Sequence, residues 1–297
     1  MKKVLITGSI AYDNLMSFDG LFRDSFIEKE LDNLSLSFLA SDHEIFFGGC
    51  GPNIAFSLKL LGHSPVLFGV AGNDFQNYAE WLESNGISTD HVFVDNNSPT
   101  ACANILTDRN QNQLTIFSPG AINTHPVEIK LNEEAKDGAV LAIVSPELPD
   151  RMAYYCRYFR ELGIPYIFDP GQEIPVLERA SLEEMLFGSI GVVVNEYESL
   201  LLTKKVGISL EEIAQKLEFV IVTLEDKGCR LYEKGEVKEV GAVRDVNVVD
   251  STGCGDAFRA GFIHGYLNRA DLTECCDIGN KTAATVLKVR GTQNHTF

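Results

Sequence analysis

The sequence predicts an α/β protein built around a parallel sheet, with a smaller β-structure attached to it. Short apolar runs of strand length alternate with segments of helical periodicity along most of the chain, as in successive β-α-β units. Two stretches nearer the N-terminus interrupt this alternation and resemble additional strands. Because no repeat, low-complexity tract or long linker separates these stretches from the rest, we expect a single domain over residues 1–297.

The strands of the parallel sheet are predicted from short, uniformly apolar runs, which are typical of strands buried on both faces. These runs are residues 4–10, 65–70, 139–144, 166–168, 191–194 and 219–223. Most of the segments between them have helical periodicity, and the final run, 271–290, predicts a helix that closes the body.

The two interrupting stretches, residues 33–47 and 100–118, predict the smaller β-structure. In the first, a Leu-Ser-Leu-Ser-Phe alternation and a Glu-Ile-Phe-Phe run indicate half-buried antiparallel strands. In the second, two apolar segments flank the polar residues 108–112, which is typical of a turn between two strands.

Charge and cysteine content exclude several classes of protein. With 42 acidic against 25 basic residues, the net charge of −17 disfavours general attraction to nucleic acid or to an anionic membrane. Seven cysteines without a C-x-x-C pair argue against a closed disulfide framework. Neither a signal peptide nor an apolar run of about 18 residues is apparent. We therefore expect a cytoplasmic protein whose partner is a small molecule.

The most informative segment is the glycine-rich turn at residues 250–261, which lies directly before a run of helical periodicity. Gly253 and Gly255 allow consecutive backbone N–H groups to converge on one point, where the helix dipole favours an anion such as phosphate. Asp256 lies at the same point, and a carboxylate there suits a base that removes a proton from an attacking hydroxyl. The alternative is that Asp256 only complements the dipole of its helix.

A second glycine turn, residues 48–53, also leads into a predicted helix. Pro52 suits the first turn of that helix, and Gly48 and Gly49 allow a polar ligand to approach the backbone closely. Asn53 offers both a donor and an acceptor to hydroxyl groups. The alternative is a tight connection in which Asn53 satisfies its own backbone. Neither a Walker lysine motif nor a complete G-x-G-x-x-G is present.

Five motifs, kept in order between residues 3 and 293, resemble the ribokinase-like (PfkB) family of sugar and nucleoside kinases. They are residues 8–13, 48–53, 195–198, 223–228 and 250–261. The resemblance implies a doubly wound, mostly parallel sheet with a small β-sheet lid formed by segments of approximately 14–47 and 98–118. It also implies transfer of the γ-phosphoryl group of ATP to an alcohol, with Mg²⁺ and, in some relatives, K⁺.

Position by position, the resemblance makes Asp256 the catalytic base. It makes the backbone amides of Gly253, Cys254 and Gly255 the hole for the transferring phosphoryl group, with both glycines also contacting ATP. Cys254 stands where the family usually has alanine. Because this change leaves the backbone amide in place, we expect the hole to survive and Cys254 to be a small buried side chain rather than a nucleophile.

The resemblance assigns Asn195, Thr223 and Gly228 to the nucleotide side of the site. Glu198 would organise Mg²⁺ through water, as suits a hard cation, and Asp250 resembles a K⁺ ligand. Each also has a simpler interpretation. Asn195 and Glu198 are typical of a helix cap, Thr223 and Gly228 of a hairpin, and Asp250 of a turn cap.

Recognition of the acceptor is assigned to Asp13, Gly48, Gly49 and Asn53. Asp13 follows a buried strand, and the carboxyl ends of strands are where α/β sheets bind ligands. The alternative for Asp13 is a polar residue that starts a loop. Arg259, one turn past the predicted base, either steadies phosphate charge or is a solvated helix residue.

The acceptor is predicted from a closer resemblance to bacterial adenosine-kinase-like members, which implies phosphorylation of the 5′-hydroxyl of adenosine or a related ribonucleoside. This resemblance rests on Arg259 and on residues 8–13, 34–38, 169–172 and 291–295. Phe38, Phe46 and Phe117 lie on the predicted lid strands, where they would stack on a base or fill the core of the lid itself.

Three other functions remain open at this point. One is a kinase for a free sugar such as ribose or a hexose, and another is a non-catalytic nucleotide or sugar sensor of the same fold. A dinucleotide-dependent oxidoreductase is disfavoured because residues 7–13 lack the required glycine spacing. Exposed lid strands would also allow a homodimer through the lid.

Overall fold

The computed structural model describes residues 2–25, 36–110, 112–124 and 132–297. The strands are β1 Lys3–Thr7, β2 Ala11–Ser17, β3 Asp42–Gly48, β4 Ser64–Gly72, β5 Val92–Asp95, β6 Ala101–Thr107, β7 Gln113–Ser118, β8 Ala139–Val144, β9 Tyr166–Phe168, β10 Gly191–Asn195, β11 Phe219–Thr223, β12 Cys229–Glu233 and β13 Glu236–Val240. The α-helices are α1 Phe22–Ser25, α2 Cys50–Leu60, α3 Gln76–Ser84, α4 Glu133–Lys136, α5 Pro149–Glu161, α6 Arg179–Phe187, α7 Glu196–Val206, α8 Leu210–Ala214, α9 Cys254–Leu267 and α10 Leu272–Val286.

The main body is a nine-stranded sheet in the order β13-β12-β11-β10-β9-β8-β1-β4-β5. From β11 to β5 every neighbouring pair is parallel, and the hairpin β12–β13 adds two antiparallel strands at one end. The chain starts in the middle at β1, continues to β4 and β5 on one side, and later builds β8 to β11 on the other. This is the doubly wound α/β arrangement predicted from the sequence.

Both faces of this sheet are buried, which explains the uniformly apolar strands. Along β1, Val4 and Ile6 point into the core shared with Ile54 of α2 and Phe258 of α9. Leu5, between them, points into the opposite core, which contains residues of α5 and α6. Each fully buried side chain of this size stabilises the fold by roughly 1.5–3 kcal/mol, so the two helical layers hold the sheet from both sides.

A separate four-stranded sheet, in the order β3-β2-β6-β7, forms the smaller β-structure and is called the lid below. Strand β2 is antiparallel to β3 but parallel to β6, and β6 is antiparallel to β7. The register places Phe46, Asp13, Ala103 and Phe117 side by side across the sheet, so these four side chains share one face. The same face carries the buried residue Ile105.

Several predicted boundaries were wrong. The apolar run 4–10 is not one strand, because β1 ends at Thr7 and a lid strand, β2, begins at Ala11. Residues 36–38 of the Leu-Ser-Leu-Ser-Phe alternation are not in a strand, and residues 33–35 lie outside the described residues. The β2–β6 pair is parallel, although only antiparallel pairs were expected. Strand β5 and the hairpin β12–β13 were not predicted.

Candidate active site

All the predicted site residues except Gly48 and Asp250 line one cleft of about 660 Å³ between the lid and the carboxyl ends of the body strands. Asp13 enters it from the lid, Asn53 from α2 and Asp256 from α9. The cleft opens near β1 and β8, where the winding of the sheet reverses. Open α/β sheets bind ligands at such switch points because the connections diverge there and leave a crevice.

The turn at Gly48 and Gly49 depends on the absence of side chains. A Cβ at Gly48 would overlap the Asp13 carboxylate, and one at Gly49 would overlap the Ser9 carbonyl oxygen. Gly49 also has φ +88°, which favours glycine. These two glycines therefore allow Asp13 and the start of α2 to approach each other closely.

Asn53 connects the two glycine turns through its side-chain amide. Asn53 Nδ2 donates a hydrogen bond of 2.9 Å to Asp256 Oδ2. Its Oδ1 lies 2.7 Å from the Thr292 hydroxyl and accepts from Gln293 Nε2 at 3.0 Å. The alternative in which Asn53 satisfies its own backbone was therefore wrong, since its side chain bonds to groups more than 200 residues away.

The second glycine turn leads directly into α9. Gly253 has φ +75°, and its carbonyl accepts the N–H of Ala257. The amides that precede Ala257 belong to the first helical turn and lack the regular partner four residues earlier, although the Cys254 N–H makes a long bond of 3.4 Å to the Ser251 carbonyl oxygen. Burial and the neighbouring Asp256 raise the pKa of the Cys254 thiol, which therefore stays protonated at neutral pH. The turn thus presents N–H groups beside a carboxylate, with Cys254 as an unreactive side chain.

Arg259 forms a buried ion pair that the sequence did not predict. Its guanidinium donates to Asp169 Oδ1 at 2.6 Å, and the two side chains are 11% and 2% exposed. The solvated interpretation of Arg259 was therefore wrong. A signal for Asp169 was available, because it follows the buried strand β9 directly and such strand ends face the ligand crevice.

Electrostatics distinguish Asp13 from Asp256, two of the carboxylates that line the cleft. Burial, together with the negative charges of Asp256 and Asp250, raises the pKa of Asp13 to about 7. Burial also raises the pKa of Asp256, to about 6, against the lowering effects of Arg259 and the Asn53 hydrogen bond. Among the described residues, no side chain or backbone N–H donates a hydrogen bond to Asp13.

On the other side of the cleft, Asn195 and Glu198 form a capping box at the start of α7. Asn195 Oδ1 accepts the Glu198 N–H, and Glu198 Oε2 accepts the Asn195 N–H, both at 2.8 Å. The two residues also line the cleft, together with Thr223 and Gly228. Gly228 has φ +95°, and a Cβ there would overlap the Val240 carbonyl oxygen.

Asp250 lies outside this cleft and is occupied as a turn cap. Its two oxygens accept the N–H groups of Thr252 and Gly291, each at 2.9 Å. Within the described ranges, no group of three or more His, Cys, Asp or Glu side chains is arranged to hold a metal ion.

The three aromatic side chains predicted for the lid have different environments. Phe38 lies outside the lid strands and packs edge-on against Phe18 and Phe22, with ring centroids 5.0 and 5.4 Å apart. Phe46 packs against the small core of the lid. Phe117 is 45% exposed and lines a pocket of about 180 Å³ that shares Ser9 with the main cleft.

Some residues that line the cleft were not predicted from the sequence. Ala103 and Ile105 of β6 and Asn280 and Ala283 of α10 line it, but none belongs to a motif. No helix among the described residues is long and apolar enough to cross a bilayer.

Comparison with known proteins agrees with this geometry. Residues 13–296 match the pfkB family of carbohydrate kinases. A nucleoside kinase of Methanocaldococcus jannaschii is 29% identical over 252 residues, covering 84% of this chain and 82% of that protein. The structure of Burkholderia thailandensis nucleoside kinase in complex with inosine has a TM-score of 0.88 at 34% identity and covers 99% of this chain and 93% of that chain. The solved nucleoside kinase of M. jannaschii has a TM-score of 0.87 at 25% identity, covering 100% and 95%.

The match begins within β2 and covers the rest of the lid, both glycine turns and the doubly wound body apart from β1. Such proteins use ATP to phosphorylate a hydroxyl group of a nucleoside or sugar. The chain belongs to the pfkB family of carbohydrate kinases and is an ATP-dependent kinase with an alcohol acceptor.

Proposed function

We propose that this protein is a nucleoside kinase that transfers the γ-phosphoryl group of ATP to the 5′-hydroxyl of a purine ribonucleoside, with adenosine as its first acceptor. The observation that carries the proposal is a pair of carboxylates, the buried Asp13 and the half-buried Asp256, that face one cleft from the lid and from the body. One suits binding of adjacent hydroxyl groups, and the other suits proton removal from a third.

Asp13 is suited to hold the ribose. It is a buried acceptor that receives no hydrogen bond from any described residue, and leaving such a group unpaired is costly. Two neighbouring hydroxyl groups of a ribose would supply the missing donors. Binding there would orient the sugar so that its 5′-hydroxyl points towards Asp256, and such positioning supplies much of the rate in phosphoryl transfer.

Asp256 is suited to act as the general base. Its pKa of about 6 leaves it ionised at neutral pH but basic enough to accept a proton. As the acceptor oxygen forms its bond to the γ-phosphorus, the bond from that phosphorus to ADP breaks and the hydroxyl proton passes to the Asp256 carboxylate. The amides of Gly253, Cys254 and Gly255 stabilise the charge on the transferring group.

Mg²⁺ fits the charge distribution of the cleft. Asp13, Asp169, Asp256 and Glu198 line the cleft together with the Arg259 guanidinium, so these carboxylates outnumber that cation before ATP enters. Glu198 would hold the ion through water, and the ion would neutralise the phosphates. Asn195, Thr223 and Gly228 would contact the nucleotide, and Asp250 would take part in binding K⁺.

The lid supports a nucleoside in preference to a free sugar. Phe46 and Phe117 share a face of the lid with Asp13. The base of a nucleoside whose ribose binds Asp13 would therefore lie close to aromatic rings. Phe117 also lines the pocket that adjoins the cleft. The similarity to nucleoside kinases from two organisms agrees with this arrangement.

An acceptor panel tests the proposal. ATP consumption is measured with adenosine, inosine, guanosine, cytidine, ribose and fructose, each with and without K⁺, and the product is located by ³¹P NMR. We expect the highest kcat/KM for a purine nucleoside and phosphate on its 5′-oxygen. If kcat/KM for a free sugar is well above that for every nucleoside, the acceptor is a sugar rather than a nucleoside. ATP binding without turnover of any acceptor would instead favour a sensor.

A further inference from the structure

The C-terminal segment 291–295 contains three buried polar residues, Thr292, Gln293 and His295, to which the proposed reaction gives no role, and the first two contact Asn53. Thr292 and Gln293 are 3% and 2% exposed. The Thr292 hydroxyl is shared between the Phe47 carbonyl at 2.8 Å and Asn53 Oδ1 at 2.7 Å. Gln293 Nε2 donates to the same Asn53 oxygen at 3.0 Å. The segment 291–295 therefore hydrogen-bonds to Asn53, the residue that donates to the proposed base.

The orientation of Gln293 is determined by its neighbours. Trp81 Nε1 is a donor only, and it lies 3.1 Å from Gln293 Oε1, so that atom must be the amide oxygen. The amide nitrogen must then face Asn53 and the Tyr78 hydroxyl, which it contacts at 2.6 Å. The Tyr78 hydroxyl uses its own proton in a 2.8 Å bond to the Gly48 carbonyl.

The orientation of the Gln293 amide also determines the orientation of the Asn53 amide. Because Gln293 offers only N–H groups to Asn53, the Asn53 amide must present its oxygen to Gln293 and its nitrogen to Asp256. Rotating the amide by half a turn would place its NH₂ against that of Gln293 and its oxygen against the Asp256 carboxylate. Both contacts would be repulsive and would leave buried donors unpaired.

We propose that Gln293, oriented by Trp81, is a positioning residue for phosphoryl transfer that fixes the Asn53 amide so that it donates to Asp256. The inference rests on the proposed role of Asp256 as the base. A donor on Oδ2 favours the ionised carboxylate and leaves Oδ1 to receive the proton of the acceptor.

Other groups also face Asp256, and they limit what a substitution at Gln293 can change. They are Arg259 on the same helix, Asp169 after β9, Asp13 on the lid, and the side chains of Cys50, Cys254 and Tyr78. Of these, Gln293 hydrogen-bonds only to Tyr78, whose phenol stays neutral because burial raises its pKa well above the ordinary value. An effect of Gln293 on the ionisation of Asp256 therefore passes through Asn53.

The test is the variant Gln293→Met, which removes both amide groups with a side chain of similar length. The matched control is Asn294→Leu, which removes the exposed amide next to it in the chain. Two readouts are used. One is the pH profile of kcat with the best acceptor of the panel, and the other is a ¹³C NMR titration of the Asp256 carboxyl, assigned with Asp256→Asn.

In Gln293→Met we expect the acid limb of kcat and the carboxyl titration to move up by about one pH unit, as the loss of a hydrogen bond to a charged group implies. At pH 6 this lowers kcat by roughly fivefold relative to the wild type, with a much smaller loss at pH 8. Asn294→Leu should titrate like the wild type. A carboxyl titration in Gln293→Met that coincides with the wild-type curve would overturn the inference.

Trp81→Phe provides a second, independent variant. It keeps an aromatic ring beside Phe47 and Phe56 but removes the N–H that orients Gln293, so we expect a shift in the same direction. If Gln293→Met does not fold, the titration in Trp81→Phe decides, and an unshifted curve there rejects the inference. The NMR readout needs no acceptor. Absence of turnover in the wild type therefore contradicts the proposed function, whereas an unchanged titration contradicts only this inference.

Discussion

Asp13 and Asp256 are carboxylates of one cleft, yet their surroundings give them different properties. Asp256 accepts a hydrogen bond from Asn53 and lies near Arg259, both of which favour its charged form. Asp13 has no such donor and is repelled by Asp256 and Asp250. As the pH rises, Asp256 therefore ionises first, near 6, and Asp13 follows near 7.

The variant Asp256→Asn should lose turnover and keep ATP binding. Loss of a general base typically lowers kcat by about 10²- to 10⁴-fold, and the amide keeps the shape of the carboxyl group. In the wild type, the same role predicts that kcat falls as the pH drops through about 6. Steady-state kinetics and calorimetric titration with ATP provide the measurements. Phosphoryl transfer at a near-normal rate would remove Asp256 from this role.

The variant Asp13→Ala should raise the KM of the acceptor far more than the KM of ATP, because Asp13 faces the acceptor end of the cleft. Losing the hydrogen bonds that two hydroxyl groups would donate to this carboxylate costs roughly 1.5–3 kcal/mol each, which corresponds to at least a tenfold increase in KM. The two constants are measured by varying one substrate at saturation of the other. An equal increase in both KM values would contradict the assignment of Asp13 to the acceptor.

The raised pKa of Asp13 should also lower the free energy of unfolding at high pH. Its pKa is raised from 3.8 to about 7 in the folded protein, so the folded state keeps a proton that the unfolded chain releases between these values. Stability is therefore lost as the pH rises from about 4 to 7, by up to roughly 4 kcal/mol. Asp13→Asn should be more stable than the wild type at pH 8 and show little gain at pH 4.5. Urea unfolding at both pH values measures this, and an equal effect at both would contradict it.

At the scale of elements, helix α7 begins with a pair of residues to which we assign both a structural and a chemical role. The capping box of Asn195 and Glu198 satisfies two backbone N–H groups at the start of α7. The same helix end lines the nucleotide side of the cleft. The cap interpretation is confirmed, and it fixes the position of the carboxylate that we propose to hold Mg²⁺.

The variant Glu198→Gln separates these two roles. Glutamine also completes a capping box, so the free energy of unfolding should change by less than about 0.5 kcal/mol. The Mg²⁺ concentration for half-maximal rate should rise by about 10- to 100-fold, as is usual for residues that act on a metal through water. Glu212→Gln is the control, since Glu212 has the same cap position in the Ser209 capping box of α8. An unchanged Mg²⁺ requirement in Glu198→Gln would exclude the metal role.

At the scale of the whole molecule, the lid has two different faces. Its inner face carries Asp13 towards the cleft, whereas its outer face exposes Ile45 and Ile116, at 62% and 72%. Strands β3 and β7 form the two edges of the lid sheet. Exposed apolar residues next to free strand edges favour association with another β-sheet.

We therefore expect two copies of the chain to pair through their lids. Ile116→Glu should convert the dimer to a monomer, because the pairing would bury the new charge. Val176→Glu, which replaces a residue of the body that is 63% exposed, should leave the dimer intact. Light scattering after size-exclusion chromatography gives the masses. A monomeric wild type at concentrations of about 10 µM would contradict the prediction.

The body strands and the glycine turns were predictable because their signals are local. Uniformly apolar runs gave β4, β8, β9, β10 and β11 within two residues at either end, since a strand buried on both faces has no polar position. The lid was harder to predict. Strand β2 has alternating burial and follows β1 after three residues; the strand predicted over residues 4–10 ends just before it, so the apolar pattern identified no separate strand there.

The sequence by itself determined the family, the α/β body and the two glycine turns with Asp256, because each depends on residues that are close together in the chain. Only the tertiary structure decided what surrounds them. Asp169 reaches Arg259 across 90 residues and Gln293 reaches Asn53 across 240, and neither pairing follows from any spacing. Hydrogen bonds and charges act over a few ångströms of space, and the folded sheet, rather than the order of residues, brings these groups within that distance.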